Sequence, residues 1–169
     1  MSQTELPSTI KSKLGFCVAY QLPEADSARL GYLSVPNRHD IFVAYTPENA
    51  ETVRSLDDAI RDVGLEPWIG ELLDLLSPNP DRIIQEGIQD SDALILLMGK
   101  DGTIPADLQD ELEQALALNR LVILVSRSAI KAEPLQPYNL SRLTVPPCHP
   151  LSLPQVAEAI FIFWFMLGY

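Results

Sequence analysis

Short runs of consecutive apolar residues alternate with helical patterns along the middle of the chain. An apolar run bounded by turn residues predicts a buried strand, and apolar residues spaced three and four apart predict a helix with one apolar face. Strands are predicted over residues 41–45, 65–69, 93–98 and 121–125, and helices over residues 48–63, from residue 81 onward, and over 106–119. This alternation is typical of a parallel sheet with helices packed on both faces.

The segments on either side of this region are less regular. Residues 14–22 and 30–35 each predict a strand, and the polar turn between them indicates a hairpin. After the fourth strand of the middle region, frequent prolines limit the chain to one short strand, over residues 142–145. A last helix is predicted from about Leu153, and its fully apolar part, residues 160–167, is too short to span a membrane. Either the core or an oligomer interface is expected to cover it.

Four segments of the chain resemble the Toll/interleukin-1 receptor domain, called the TIR domain, of the prokaryotic type. They read HDIFVAY, GLEPW, IQEGIQDSDALILLM and DELEQALALNRLVILV, at residues 39–45, 64–68, 84–98 and 110–125. The resemblance implies a flavodoxin-like three-layer α/β sandwich. Its central parallel sheet has the strand order 2-1-3-4-5, counted from the strand at residues 41–45. Residues 39–169 are assigned to the TIR-like domain, and residues 1–38 to an N-terminal hairpin-like extension.

Folds of this kind bind ligands beyond the carboxyl ends of the strands, where the strand order reverses. That crevice is expected between the loop after the first strand and the loop after the third. The resemblance implies that NAD⁺ or a related nucleotide binds there as the substrate, with no cofactor and no metal. It also implies that Glu111, on the third helix, is the catalytic carboxylate. The residues expected to contact the nucleotide are Tyr45, Thr46, Trp68, Gly99 and Lys100.

Helical geometry supports the choice of Glu111. At about 100° per residue, Glu111 lies about 60° from Leu108, at the border of the apolar stripe, whereas Asp110 and Gln114 are expected to point to solvent. When the nicotinamide–ribose bond breaks, the leaving group becomes neutral, so only the oxocarbenium-like sugar needs stabilisation. One nearby anion can supply it. A carboxylate at a helix border is also often simply solvated.

Two other interpretations remain open. Many TIR domains act by association with other TIR domains or with copies of themselves, and the loop after the second strand offers the surface for this. Its apolar side chains are Leu72, Leu73, Leu75 and Leu76. A weaker resemblance, over residues 92–125, is to the nucleoside deoxyribosyltransferases, whose nucleophilic glutamate falls at the same helix position. The chain also has Thr46-Pro47 where many NAD⁺-cleaving TIR domains carry polar or charged residues.

Composition narrows the remaining classes of protein. A formal net charge of −11 opposes binding to a phosphate backbone, so no nucleic-acid partner is expected. The chain contains no GxGxxG, GxxxxGK[ST], GxSxG or HExxH motif. Cys17 and Cys148 are too few and too far apart for a disulfide scaffold, and two free buried thiols are expected. The first residues lack the apolar core of a signal peptide, so we expect a cytoplasmic protein that acts in signalling or defence, without a membrane span.

Overall fold

The computed structural model describes residues 15–23, 39–69, 80–131, 133–135, 137–138, 140, 142–146 and 149–166. The strands are β1 (Cys17–Gln21), β2 (His39–Ala44), β3 (Pro67–Ile69), β4 (Ser91–Leu97) and β5 (Leu121–Ser126). The helices are α1 (Ala50–Asp62), α2 (Pro80–Gln89), α3 (Gln109–Ala117) and α4 (Leu153–Met166). Short 3-10 turns lie over Pro47–Asn49, Ala106–Leu108 and Glu133–Leu135.

The five strands form one sheet in the order β1-β5-β4-β2-β3. β2 lies between β3 and β4, and β4 pairs with β5, all in parallel. Counted from β2, this is the predicted order 2-1-3-4, and helices cover both faces of the sheet. The predicted flavodoxin-like α/β fold is therefore confirmed.

The edge position next to β5 differs from the prediction. It is occupied by β1, which pairs with β5 in antiparallel orientation, whereas the predicted strand over residues 142–145 contributes only one isolated bridge, between Thr144 and Tyr20. Pro146 has no N–H group, so it cannot extend the ladder beyond Thr144 on that side, and the N–H of Arg142 donates to the side chain of Gln21 instead of to a strand carbonyl. The partner strand predicted over residues 30–35 lies outside the described residues, and the division of the chain at residue 38 stays a prediction.

Cys17, at the start of β1, is disulfide-bonded. The expectation of a free thiol is therefore wrong for this residue, and Cys148 lies outside the described residues. A sequence with only two distant cysteines carries no spacing signal that predicts their bonding state.

The sheet separates two apolar cores, because successive side chains of a strand point to opposite faces. One core packs against α1 and α4 and the other against α2 and α3. Every residue of β4 and β5 is buried, as expected for strands covered on both sides. Each large apolar side chain buried in this way stabilises the fold by about 1.5–3 kcal/mol. Those of β2 and β4 are Ile41, Val43, Ile95 and Leu97 in the first core, and Phe42, Leu94 and Leu96 in the second.

Two helices end in the same left-handed turn. Gly64 follows α1 with φ of 91°, and the N–H of Leu65 donates to the carbonyl of Ile60. Asn119 follows α3 with φ of 57°, and the N–H of Arg120 donates to the carbonyl of Ala115. Glycine and asparagine tolerate this conformation best. The prediction that Gly64 ends the first helix is thus confirmed, whereas Asn119, expected inside the third helix, lies just beyond it.

The last helix, α4, is only partly covered. Val156, Ala157 and Ile160 are buried against α1 and the sheet, and the ring of Phe163 lies 4.2 Å from that of Tyr20. On the outward side three apolar residues remain exposed, by 53%, 65% and 71%: Ile162, Phe165 and Met166. Core packing therefore accounts for one side of the helix alone. Among the described residues, no helix has the length and apolar character needed to cross a membrane.

The two sides of α4 should respond differently to truncation of a side chain. Ile160 is fully buried, so Ile160→Ala should lower the free energy of unfolding by about 2–5 kcal/mol. Ile162 is 53% exposed, and Ile162→Ala should cost less than about 1 kcal/mol. Urea denaturation of both variants measures the difference. Equal losses would contradict it and would indicate that the outward side is covered in solution, as in an oligomer.

Candidate functional site

Three loops meet at the carboxyl edge of the parallel strands. They follow β2, β4 and β5, which lie in the centre of the sheet. The topology thus brings Thr46 to the same edge as Gly99 and Lys100, as the sequence predicted. The side-chain amide of Asn49 donates to the carbonyl of Met98 at 3.4 Å and joins the first two loops. Sequence reasoning missed Asn49, because nothing local indicates that its side chain reaches the loop after β4.

The loop after β4 is a shaped turn. The N–H of Gly99 donates to the carbonyl of Thr103 at 2.8 Å, and the N–H of Gly102 donates to the carbonyl of Gly99 at 3.0 Å. Gly102 has φ of 75°, which favours glycine. The hydroxyl of Ser128, in the loop after β5, donates to the carbonyl of Lys100 at 2.6 Å. Since the backbone of Lys100 is held and its side chain is exposed, its ammonium group can reach a ligand at this edge.

The two predicted aromatic residues lie on opposite faces of the sheet. Tyr45 packs against the core under α1 and α4, and Trp68 packs against the core under α2 and α3. The indole of Trp68 stacks on Phe42, with ring centres 4.8 Å apart. A Cβ atom at Gly87, on α2, would lie 2.9 Å from the Phe42 ring and 3.2 Å from the indole. Close packing against Phe42 and α2 thus holds Trp68 in place.

Glu111 is half-buried in the first turn of α3. Leu108 and Leu112 beside it are 4% and 0% exposed, which agrees with the predicted apolar stripe. The side-chain amide of Gln114, however, donates to the carbonyl of Gln85 on α2 at 3.1 Å. Gln114 therefore faces a neighbouring helix, and the expectation that it points to solvent is wrong. The helical period shows where a side chain points but not which element it meets.

The contacts between α2 and α3 also locate Glu111. Gln114 meets Gln85, and the guanidinium of Arg120 donates to the carbonyl of Gln89 at 2.9 Å, so the two helices run in the same direction. Glu111 lies one turn before Gln114. It is therefore placed on the side of α3 that faces the beginning of α2, on the same face of the sheet as Trp68.

The first turn of α3 has a further anchor. The side-chain amide of Gln109 donates to the hydroxyl of Tyr138 at 2.9 Å, and Tyr138 packs on the core under α2 and α3. This contact, between residues distant in sequence, was not predicted. It holds the turn that carries Glu111 against the body of the domain.

Two expectations concern other parts of the surface. The leucines of the loop after β3, Leu72, Leu73, Leu75 and Leu76, lie outside the described residues. Within the described ranges, no group of three or more histidine, cysteine, aspartate or glutamate side chains is arranged to hold a metal ion.

Comparisons with known proteins bear on the family. The sequence profile of the family described as "TIR domain" matches residues 41–146. No curated protein matches the chain. A solved structure of a metazoan TIR-STING receptor from C. gigas is 14% identical, with a TM-score of 0.45 over 80% of this chain and 42% of the receptor chain. This chain thus spans less than half the length of that receptor.

The packing of Trp68 can be tested at Gly87. Gly87→Val should lower the free energy of unfolding by about 1–3 kcal/mol, because the rings of Phe42 and Trp68 already fill the space for its Cβ atom. Thermal unfolding and tryptophan fluorescence would measure the loss and the displaced indole. Gln85→Ala, at an exposed position of the same helix, should stay within about 0.5 kcal/mol of the wild type. A Gly87→Val variant as stable as the wild type would show that the indole is not held against α2.

Proposed function

This chain belongs to the TIR domain family, and from that premise we propose that it is an NAD⁺ nucleosidase. It cleaves the nicotinamide–ribose bond, and Glu111 is the catalytic carboxylate. The observation that carries the proposal is the setting of Glu111, which is half-buried in the first turn of α3 and beside the beginning of α2. The activity would serve signalling or defence.

The position of Glu111 suits an ionised catalytic group. It is close enough to the core for its backbone to be fixed, through Leu112 on one side and the Gln109–Tyr138 hydrogen bond on the other. It also keeps contact with solvent, so its charge is not fully desolvated. In the first turn of a helix, the unpaired N–H groups and the helix dipole stabilise a negative charge.

The main group that the reaction requires from the protein is this negative charge. Loss of nicotinamide from NAD⁺ turns a cationic pyridinium into a neutral molecule, so no acid is needed to protonate the leaving group. Positive charge develops on the ribose instead, and a carboxylate near C1 and the ring oxygen stabilises it. Water then attacks the sugar carbon. Formation of a cyclic product would need a nucleophilic atom of the same nucleotide to attack the sugar carbon in place of water.

The other predicted contact residues would meet different parts of the substrate. Trp68 lies on the same face as Glu111 and would border the nicotinamide riboside end of the substrate. Thr46, Gly99 and Lys100 stand at the carboxyl edge and would meet the central part of the molecule, with the ammonium of Lys100 near phosphate. Tyr45, on the opposite face, would contact only the far end.

A second candidate function is a non-catalytic module that associates with other TIR domains or with itself. The exposed apolar side of α4, formed by Ile162, Phe165 and Met166, supports it, because such a surface gains from being covered. The nucleoside deoxyribosyltransferase interpretation shares Glu111 with the first proposal. It differs in that the carboxylate would attack the sugar and form a covalent intermediate.

The cytoplasmic location also stays a prediction. A disulfide such as that of Cys17 persists most readily in an oxidising compartment. Counting free thiols in protein taken directly from its cells would show which redox environment it occupies.

Replacement of Glu111 by glutamine tests the catalytic proposal. Glu111→Gln keeps the shape of the side chain and removes its charge, so the free energy of unfolding should change by no more than about 0.5 kcal/mol. The rate of nicotinamide release from NAD⁺ should fall roughly a hundredfold or more. Removal of a preorganised electrostatic group lowers the turnover of other enzymes by a similar factor. The assay is run on the dilute protein and on the protein concentrated into assemblies.

Glu113 provides the matched control, since it lies on the same helix and is exposed. Glu113→Gln should leave the rate unchanged. Unaltered cleavage by Glu111→Gln would refute the assignment of the site. A wild-type protein that releases no nicotinamide under any condition of assembly would favour the association module.

A further inference from the structure

Arg127 follows β5 directly and is held in a fixed orientation. Its Nη2 donates to the hydroxyl of Thr52 on α1 at 2.6 Å, and the guanidinium carbon lies 5.6 Å from the centre of the Phe16 ring. Thr52 and Phe16 are only 7% and 6% exposed, so both partners are fixed by the core. The arginine itself is exposed, and its guanidinium is thus anchored on one side and open on the other.

The two side chains that contact Arg127, those of Thr52 and Phe16, carry no charge. Arg61 pairs with Glu66 and Arg82 pairs with Glu86, whereas both partners of Arg127 are neutral. No carboxylate of the described residues forms an ion pair with it. One of its five N–H groups is used by Thr52, which leaves four donors in a planar fork. The chain has 23 acidic and 12 basic residues, so basic side chains are in the minority. The remaining donors of Arg127 can bind an anion.

Its location favours a small ligand. Arg127 stands at the carboxyl edge of the sheet, where folds of this type bind ligands. Two helices begin nearby, because Thr52 lies in the first turn of α1 and Leu151, which pairs with Phe16, immediately precedes the cap of α4. Their first N–H groups add positive potential to that of the guanidinium. Glu51, on the same turn as Thr52, and Glu48, in the 3-10 turn before α1, are acidic residues that oppose an anion here.

This place is separate from the proposed catalytic carboxylate. Arg127 reaches α1, on the face of the sheet that α1 and α4 cover, whereas Glu111 lies on α3, on the other face. An anion bound by Arg127 is therefore not repelled at short range by Glu111. A nucleotide that extends over the carboxyl edge could occupy both places, and a free phosphorylated molecule could occupy this one alone.

We propose that Arg127, oriented by Thr52 and Phe16, forms a binding site for a phosphate group at the carboxyl edge of the sheet. A guanidinium fork matches the spacing of two phosphate oxygens and binds them through charge-assisted hydrogen bonds. The site does not depend on cleavage of NAD⁺, and it supplies the phosphate contact that the loop after β2, with Thr46-Pro47, lacks.

Titration of inorganic phosphate into the full chain tests the site directly, with binding followed by the amide NMR signals of Thr52 and Arg127. Arg127→Gln should weaken phosphate binding about tenfold or more, because the charge and the charge-assisted hydrogen bonds of the guanidinium fork are lost. Arg127→Lys keeps the charge without the fork and should give an intermediate loss. Arg54→Gln is the control, because Arg54 is exposed on the same helix as Thr52, and binding should be unchanged. Thermal unfolding of each variant confirms that it is folded.

A competition experiment distinguishes the sources of the phosphate. NAD⁺ and nicotinamide riboside, which has no phosphate, are added to phosphate-bound Glu111→Gln protein so that neither is consumed. If NAD⁺ displaces phosphate and nicotinamide riboside does not, the site is assigned to the pyrophosphate of the nucleotide. Loss of phosphate binding in Arg127→Gln without displacement by NAD⁺ supports the site with a separate phosphorylated ligand. A wild type that binds no phosphate, or an Arg127→Gln variant that binds it equally well, overturns the proposal whether or not the protein cleaves NAD⁺.

Discussion

Burial of β4 and β5 on both faces is the constraint on which the rest of the structure depends. Every residue of Ser91–Leu97 and Leu121–Ser126 is buried, so helices must lie above and below the sheet. Inside the sheet, the backbone N–H and C=O groups are paired with those of neighbouring strands. Beyond the strand ends, such groups can hydrogen-bond with loops, side chains or a ligand. Ligand chemistry is thereby restricted to the loops at the strand ends and to the helix turns that border them.

The same sheet divides the candidate site into two halves. Because side chains alternate along a strand, Trp68 belongs with α2 and α3, while Tyr45 belongs with α1 and α4. Glu111 is on the first side and Arg127 makes its contacts on the second. Among the candidate site residues, the two halves meet at the carboxyl edge, where Asn49 joins the loops after β2 and β4. A ligand that uses residues from each half must therefore lie over this edge.

The features that could be predicted from sequence are those determined by nearby residues. The alternation of strands and helices follows from the apolar runs, the order of β2 to β5 was implied by the family resemblance, and the end of α1 at Gly64 follows from the conformation that glycine permits. The border position of Glu111 follows from the helical period in the same way. The family match over residues 41–146 agrees with the segments that carried the resemblance. What was missed depends on contacts between distant segments: β1 at the edge of the sheet, the disulfide of Cys17, and Gln114 against α2. No local pattern encodes which partner a strand edge, a thiol or an amide will meet.

The antiparallel edge strand has a consequence for how the chain is made. Gln21 pairs with Val122, 101 residues later in the sequence, so β1 leaves the ribosome long before its partner exists. During that interval its ladder groups have no neighbour in the sheet, and an unpaired edge is open to other chains. Closing so large a loop also carries an entropic cost that only the finished parallel strands can offset. β1 is therefore expected to be among the last strands to join the sheet, and synthesis rate and cellular chaperones would affect its pairing.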